Sequence, residues 1–237
     1  MQTEYAGVSC GKLDQSCEIL CKKNQLLYLD TKDDSYELIP TNPAMKPYKI
    51  AIFFSGVERS LASSKYNMRV DECKSAAYAL QAFAGIEYGK YENVRLRDVP
   101  VEVFEQYKDK LPEQWRKRAQ HYYSEEARVE AGAEAWRRGD LEEYGRLSFE
   151  SGKSSVYSYE SGSDELITLY NILCKTQGIY GGRFSGAGFK GCCMALIDLE
   201  YAEQIEREVT KEYLAAFPQY EGKFSVHICE SADGAVL

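Results

Sequence analysis

Three short segments of this 237-residue chain hold residue types whose spacing suits chemistry. The first, Val8-Ser-Cys-Gly11-Lys-Leu-Asp14-Gln15, sets a carboxylate three residues after a glycine. Asp14 suits two roles: the N-cap of a helix over Gln15–Lys22, worth about 1 kcal/mol, or a carboxylate that holds or deprotonates a hydroxyl nucleophile. The second, Ser63-Ser-Lys-Tyr66-Asn-Met-Arg69, stands at the entrance of an amphipathic helix. Polar residues there serve as caps and solvated surface, but Tyr66 is also flat and large enough to pack on a sugar ring while its hydroxyl bonds to it. The third, Ser185-Gly-Ala-Gly-Phe-Lys-Gly191, is longer than a tight hairpin requires. Its glycines let several backbone N–H groups converge on an anion, or simply build a glycine-rich hairpin loop with no ligand.

Two other matches fail on context. Gly152-Lys-Ser154 resembles the end of a phosphate loop, but that pattern needs a glycine where Leu147 stands. Gly186 to Gly191 satisfies G-x-G-x-x-G, yet a dinucleotide fingerprint must lead from a strand into a helix, and Cys192–Asp198 reads as a second strand.

The eight cysteines (10, 17, 21, 73, 174, 192, 193 and 229) form no C-x-x-C pair, and only His121 and His227 are available to complete a metal site. This argues against structural zinc, and the thiols read as small buried hydrophobes in a reducing, cytoplasmic setting. Met1–Val8 has neither the basic nor the apolar region of a signal peptide. With 29 Lys+Arg against 37 Asp+Glu, the net charge of −8 argues against nucleic acid and anionic membranes as partners. The longest apolar runs, Ile50–Phe54 and Cys192–Ile197, are too short to span a bilayer.

The elements that must position these segments follow from periodicity. Prolines at 40, 43 and 47 forbid regular structure and divide a short N-terminal piece from a longer unit. Tyr48–Phe54 predicts a buried strand, and the spacing of Val70, Cys73, Ala77, Leu80 and Ala84 predicts a helix stopped by Gly85. A long charged helix is expected from Pro112 to Arg138, then another capped by Asp140 with Glu143. Ser163 caps a further helix running toward Gly178. Strands follow at 180–185 and 192–198, a helix at 200–217, and a last strand at 224–229. The order is the α+β, ferredoxin-like split βαββαβ pattern, with helices inserted in the first crossover.

Taken in order, the three segments resemble the galactokinase branch of the GHMP sugar kinases. Val8–Gln15 resembles that family's Gly-x-x-Asp-Gln loop, and Tyr66-Asn-Met-Arg69 its sugar-contacting tyrosine followed by Asn-x-Arg. Gly182-Arg-Phe-Ser-Gly-Ala-Gly-Phe-Lys-Gly-Cys resembles its C-terminal glycine-rich motif. Within the branch the chain is most like galacturonokinases, on Arg118–Tyr123, Tyr157–Gly162 and Gly191–Met194. It has Glu150-Ser-Gly-Lys-Ser where galactokinases usually show Asn-x-Ser-His.

The resemblance implies an ATP-dependent kinase, with Mg²⁺ on the nucleotide, that phosphorylates the anomeric hydroxyl of galacturonate or galactose. It implies Asp14 as the catalytic residue, Gly11 and Tyr66 as sugar-binding residues, and Ser185, Gly186 and Gly188 beside the phosphates, with no protein metal site. The family's Gly-Ser-Ser phosphate loop and the arginine that pairs with the catalytic aspartate are missing here. Residues 1–46 are therefore expected to be the tail of the N-terminal domain, and 47–237 the C-terminal domain. The chain alone is expected to be a poor kinase, or a catalytically silent module that needs a separate N-terminal half or self-associates.

Overall fold

The computed structural model describes residues 11–57, 66–87, 89–186, 188–189 and 191–235. A short helix, α1 (Leu13–Leu20), leads into a two-stranded antiparallel ribbon, β1 (Gln25–Leu29) and β2 (Tyr36–Pro40). Past the proline-rich connection comes β3 (Lys49–Phe54), whose Ala51 and Phe53 are fully buried. Five helices follow: α2 (Tyr66–Ala84), α3 (Val101–Tyr107), α4 (Glu113–Arg138), α5 (Leu141–Tyr157) and α6 (Asp164–Leu173). The chain closes with β4 (Ile179–Phe184), β5 (Cys192–Ile197), α7 (Ala202–Ala216) and β6 (Ser225–Cys229).

Strands β4, β5, β3 and β6 form one sheet in that order, all neighbours antiparallel. The first and third strands of the unit lie in the middle of the sheet. This is the ferredoxin-like order, with α2 to α5 added to the first crossover, as the periodicity predicts. Helices α6 and α7 cover the sheet through Leu166, Leu169, Leu173, Ile205, Val209 and Tyr213, against Phe53, Cys193, Ala195 and Ile197. A second core joins α2, α3 and α4 around Leu80, Phe104 and Ala119. A third ties the ribbon to α4 and α5 through Ile39, Met45, Trp136 and Leu141.

Local chemistry sets the element ends. Asp140 accepts a hydrogen bond from the Glu143 amide at 3.0 Å and starts α5. Ser163 does the same for α6 through the Leu166 amide, 3.4 Å away. Helix α6 stops at Leu173, earlier than its apolar pattern suggests, and α7 begins after a 3₁₀ turn at Leu199–Tyr201. Asp198 caps that turn by accepting from the Glu200 amide. The close seating of α5 on β4 depends on glycine: a Cβ at Gly145 would lie 2.1 Å from the Tyr180 carbonyl oxygen. Among the described residues no helix is long and apolar enough to cross a membrane.

Candidate functional site

Asp14 lies in the first turn of α1 and is exposed. Lys12 occupies the N-cap position without a side-chain cap bond, so the capping role open to Asp14 is not the one it takes. A segment from the far end of the chain holds α1 in place. The Gly234 amide donates to the Cys21 carbonyl at 2.7 Å and the Ala235 amide to the Glu18 carbonyl at 2.6 Å. Asp233 accepts from the Lys23 amide at 2.8 Å.

The start of α1 faces a cleft of roughly 430 Å³. Gly11, Asp14 and Gln15 form one side of it, and Tyr66, the first residue of α2, stands on another. Gly186 and Gly188 close the rim from the β4–β5 loop. Their φ angles of +68° and +72° lie in the left-handed region that favours glycine, which accounts for the loop's composition. Of the six residues singled out in the sequence, five line this one cleft. Ser185 does not; its amide donates to the Cys192 carbonyl at 3.0 Å, continuing the ladder, and its hydroxyl pairs with the Cys192 thiol. Burial raises the Cys192 pKa, Ser185 lowers it, and the nearby Asp14 charge adds to the rise.

The remaining wall was not foreseen. It comes from α4, the end of α5 and the loop after it: His121, Ser155, Tyr159, Ser161 and, from β4, Arg183. His121 Nδ1 lies 2.9 Å from the Ser154 hydroxyl, and its ring packs against Tyr159 with centroids 4.8 Å apart. Burial pushes the imidazole pKa down to about 4, with Glu125 opposing and Arg183, Arg128 and Arg118 reinforcing. His121 is therefore neutral at physiological pH, and its 3.9 Å approach to Glu125 is not an ion pair. Arg183 donates to the Ser151 hydroxyl at 2.5 Å and pairs with Glu125 at 3.3 Å. Burial alone would raise the Glu125 pKa, but Arg183, the Ser151 hydroxyl and Arg128 outweigh it and lower the net value. His121, Tyr159, Ser161 and Arg183 lie in segments that carry the family resemblance, but nothing in their spacing brings them to one cleft.

Behind the wall lies a cluster of charges. Arg118 is fully buried; it donates to Glu72 at 2.6 Å, to the Ser158 carbonyl at 2.6 Å and to Glu160 at 2.7 Å. Arg69 donates to Glu72 at 2.9 Å and to the Glu160 carbonyl at 3.2 Å. Hydrogen bonds from Arg118 and then Lys117 pull the Glu160 pKa down to about 2. A wider hollow, roughly 1010 Å³, opens between the β1–β2 ribbon and α4. It holds none of the residues above, and four of its charges pair with one another, Arg97 with Asp30 and Lys32 with Asp98.

The cleft thus offers an exposed carboxylate, a guanidinium, several hydroxyls and glycine backbone. Among the described residues no group of three His, Cys, Asp or Glu side chains is placed to hold a metal ion.

Residues 133–215, from α4 through most of α7, match the family model "GHMP kinases C terminal". The chain carries a GHMP kinase C-terminal domain. Across its length the GHMP chain is 41% identical to a galacturonokinase from Arabidopsis thaliana over 240 residues, covering 99% of the chain and 56% of that protein. It is 35% identical to a galactokinase from Ligilactobacillus salivarius over 237 residues, 99% of the chain and 58% of the relative. The crystal structure of Lactococcus lactis galactokinase complexed with galactose superposes with a TM-score of 0.86 at 28% identity, covering 99% of the chain and 58% of that protein. The α+β architecture and the galactokinase-like resemblance stand on these likenesses. The chain spans a little over half the length of the relatives it matches.

Proposed function

We propose that this chain supplies the catalytic-aspartate loop and C-terminal domain of a sugar 1-kinase acting on galacturonate or galactose. The observation that carries this reading is the convergence of Gly11, Asp14, Tyr66, Gly186 and Gly188 on one cleft from segments scattered across the chain. Asp14 takes the proton of the anomeric hydroxyl. That oxygen bonds to the γ-phosphorus of ATP, and the bond from that phosphorus to the bridging oxygen breaks, releasing ADP. Tyr66 holds the sugar, Gly11 lets its ring approach the backbone, and the loop at Ser185, Gly186 and Gly188 faces the phosphates. Mg²⁺ would arrive on ATP, held largely through the substrate phosphates, where it would neutralise charge. The reading divides the chain at 46/47, the N-terminal segment bringing Asp14 to the C-terminal domain, in a soluble cytoplasmic protein.

The purified chain should bind galacturonate or galactose in calorimetry, and Tyr66→Ala should weaken that binding at least tenfold. Alone it should form sugar 1-phosphate slowly or not at all. Co-expression with a polypeptide covering the rest of the relatives' length should restore turnover, and Asp14→Asn should abolish it. No sugar binding by the chain and no restored turnover would together overturn the reading.

A further inference from the structure

The three stretches that face the cleft opposite α1 meet at one carboxylate. Glu160 follows Tyr159 and precedes Ser161, both of which line the cleft. Its backbone is left-handed at φ +54°, a conformation that a non-glycine residue holds only when its surroundings fix it. Those surroundings are cationic. Arg118 Nη2 lies 2.7 Å and Lys117 Nζ 3.0 Å from the carboxylate, and Arg69 lies 3.6 Å from it. Arg69 also grips the Glu160 carbonyl at 3.2 Å, while Arg118 grips that of Ser158 at 2.6 Å.

Each of those cations stands beside a cleft residue. Arg69 is one turn along α2 from Tyr66, and Arg118 is one turn along α4 from His121. Glu72 joins the two arginines from the other side, at 2.9 Å and 2.6 Å. Nothing in this cluster lines the cleft, but two of its hydrogen bonds, from Arg69 to the Glu160 carbonyl and from Arg118 to the Ser158 carbonyl, end on the backbone of the loop that does.

We propose that Glu160 is a positioning residue: with Arg118, Arg69 and Lys117 it locks the loop at residues 158–161 and the starts of two helices into one rigid cleft wall. The lock presents Tyr66, His121 and Tyr159 to a sugar together, so it deepens the sugar-kinase reading and rests on it for its consequence. Charge-assisted hydrogen bonds suit this task because they are short and strong.

The test is amide hydrogen exchange on the full chain, comparing wild type with Glu160→Gln, which keeps the shape and removes the charge. Amides at residues 159–161 and 66–69 should exchange at least tenfold faster, while those of β3 and β5 stay within twofold. Unchanged exchange at those positions, or an equal rise throughout the sheet, would overturn the proposal. Lys117→Met, which removes one half-exposed arm, should loosen the same amides to a smaller degree and serves if the first variant fails to fold. Galacturonate affinity measured alongside should fall at least tenfold in Glu160→Gln. A wild-type chain that binds neither galacturonate nor galactose would defeat the sugar reading, and the exchange pattern would still decide the lock.

Discussion

Replacing His121 by asparagine should flatten the acid dependence of stability. The imidazole is 14% exposed and surrounded by Arg118, Arg128 and Arg183, with Glu125 the one opposing charge. Its pKa falls from 6.5 to about 4 on folding, so the unfolded chain takes up a proton that the folded protein refuses. The stabilising contribution is complete above pH 6.5, shrinks as the pH drops below it, and is gone below about pH 4. Integrated from pH 7.5 to pH 5, proton linkage at this one group amounts to about 2 kcal/mol. For a domain of this size that corresponds to about 4–8 °C in Tm. Asparagine keeps a partner for the Ser154 hydroxyl but cannot titrate, and the variant retains His227, so the difference between the two proteins isolates His121. Urea unfolding at the two pH values measures it. The wild type should lose about 2 kcal/mol more than His121→Asn between them. Equal losses, within about 0.5 kcal/mol, would show that the ring is not held neutral by its surroundings.

Other expectations rest on single contacts. Gly145→Ala places a Cβ 2.1 Å from the Tyr180 carbonyl, which is backbone and cannot swing aside, so the urea midpoint should fall by the equivalent of about 3 kcal/mol. Tyr213→Phe removes a fully buried hydroxyl that donates to the Ser55 carbonyl at 2.7 Å, and calorimetry should record a loss of about 1–2 kcal/mol. Gly186→Ala meets no atom within 4 Å but must hold φ +68°, so it should cost about 1 kcal/mol through backbone strain alone. Deleting residues 231–235 should raise hydrogen exchange in α1 while the sheet stays protected, because five hydrogen bonds join that segment to α1 and the turn after it.

The sheet was legible because its strands are short, largely apolar runs bounded by glycine or proline, and α2, α5 and α6 because apolar residues recur along them at helical spacing. Ser163 and Asp140 mark helix starts in the sequence and cap them in the structure. The β1–β2 ribbon was not legible. Its strands are five residues each, and every residue of β1 is half-buried, so no alternation shows. Its partners, Trp136 and Leu141, come from a helix pair about a hundred residues on. Helix α3 escaped for a similar reason: only Phe104 along its seven residues is buried. At the cleft, glycines and an exposed aspartate leave local signatures that sequence reading can find. The polar wall is different: the segments holding His121, Tyr159 and Arg183 carry the family resemblance, but only tertiary packing brings the three residues together.

The contact between the last residues and α1 has a consequence for synthesis. The Lys23 amide and its acceptor Asp233 are separated by 210 residues, so the bond closes a loop of nearly the whole chain. At about 5–20 residues per second, a ribosome takes roughly 10–40 s to travel that distance. The sheet lacks β6, and α1 lacks its strap, until residues 225–235 emerge. The helix bearing Asp14 is therefore without these tethers while the residues between are being made.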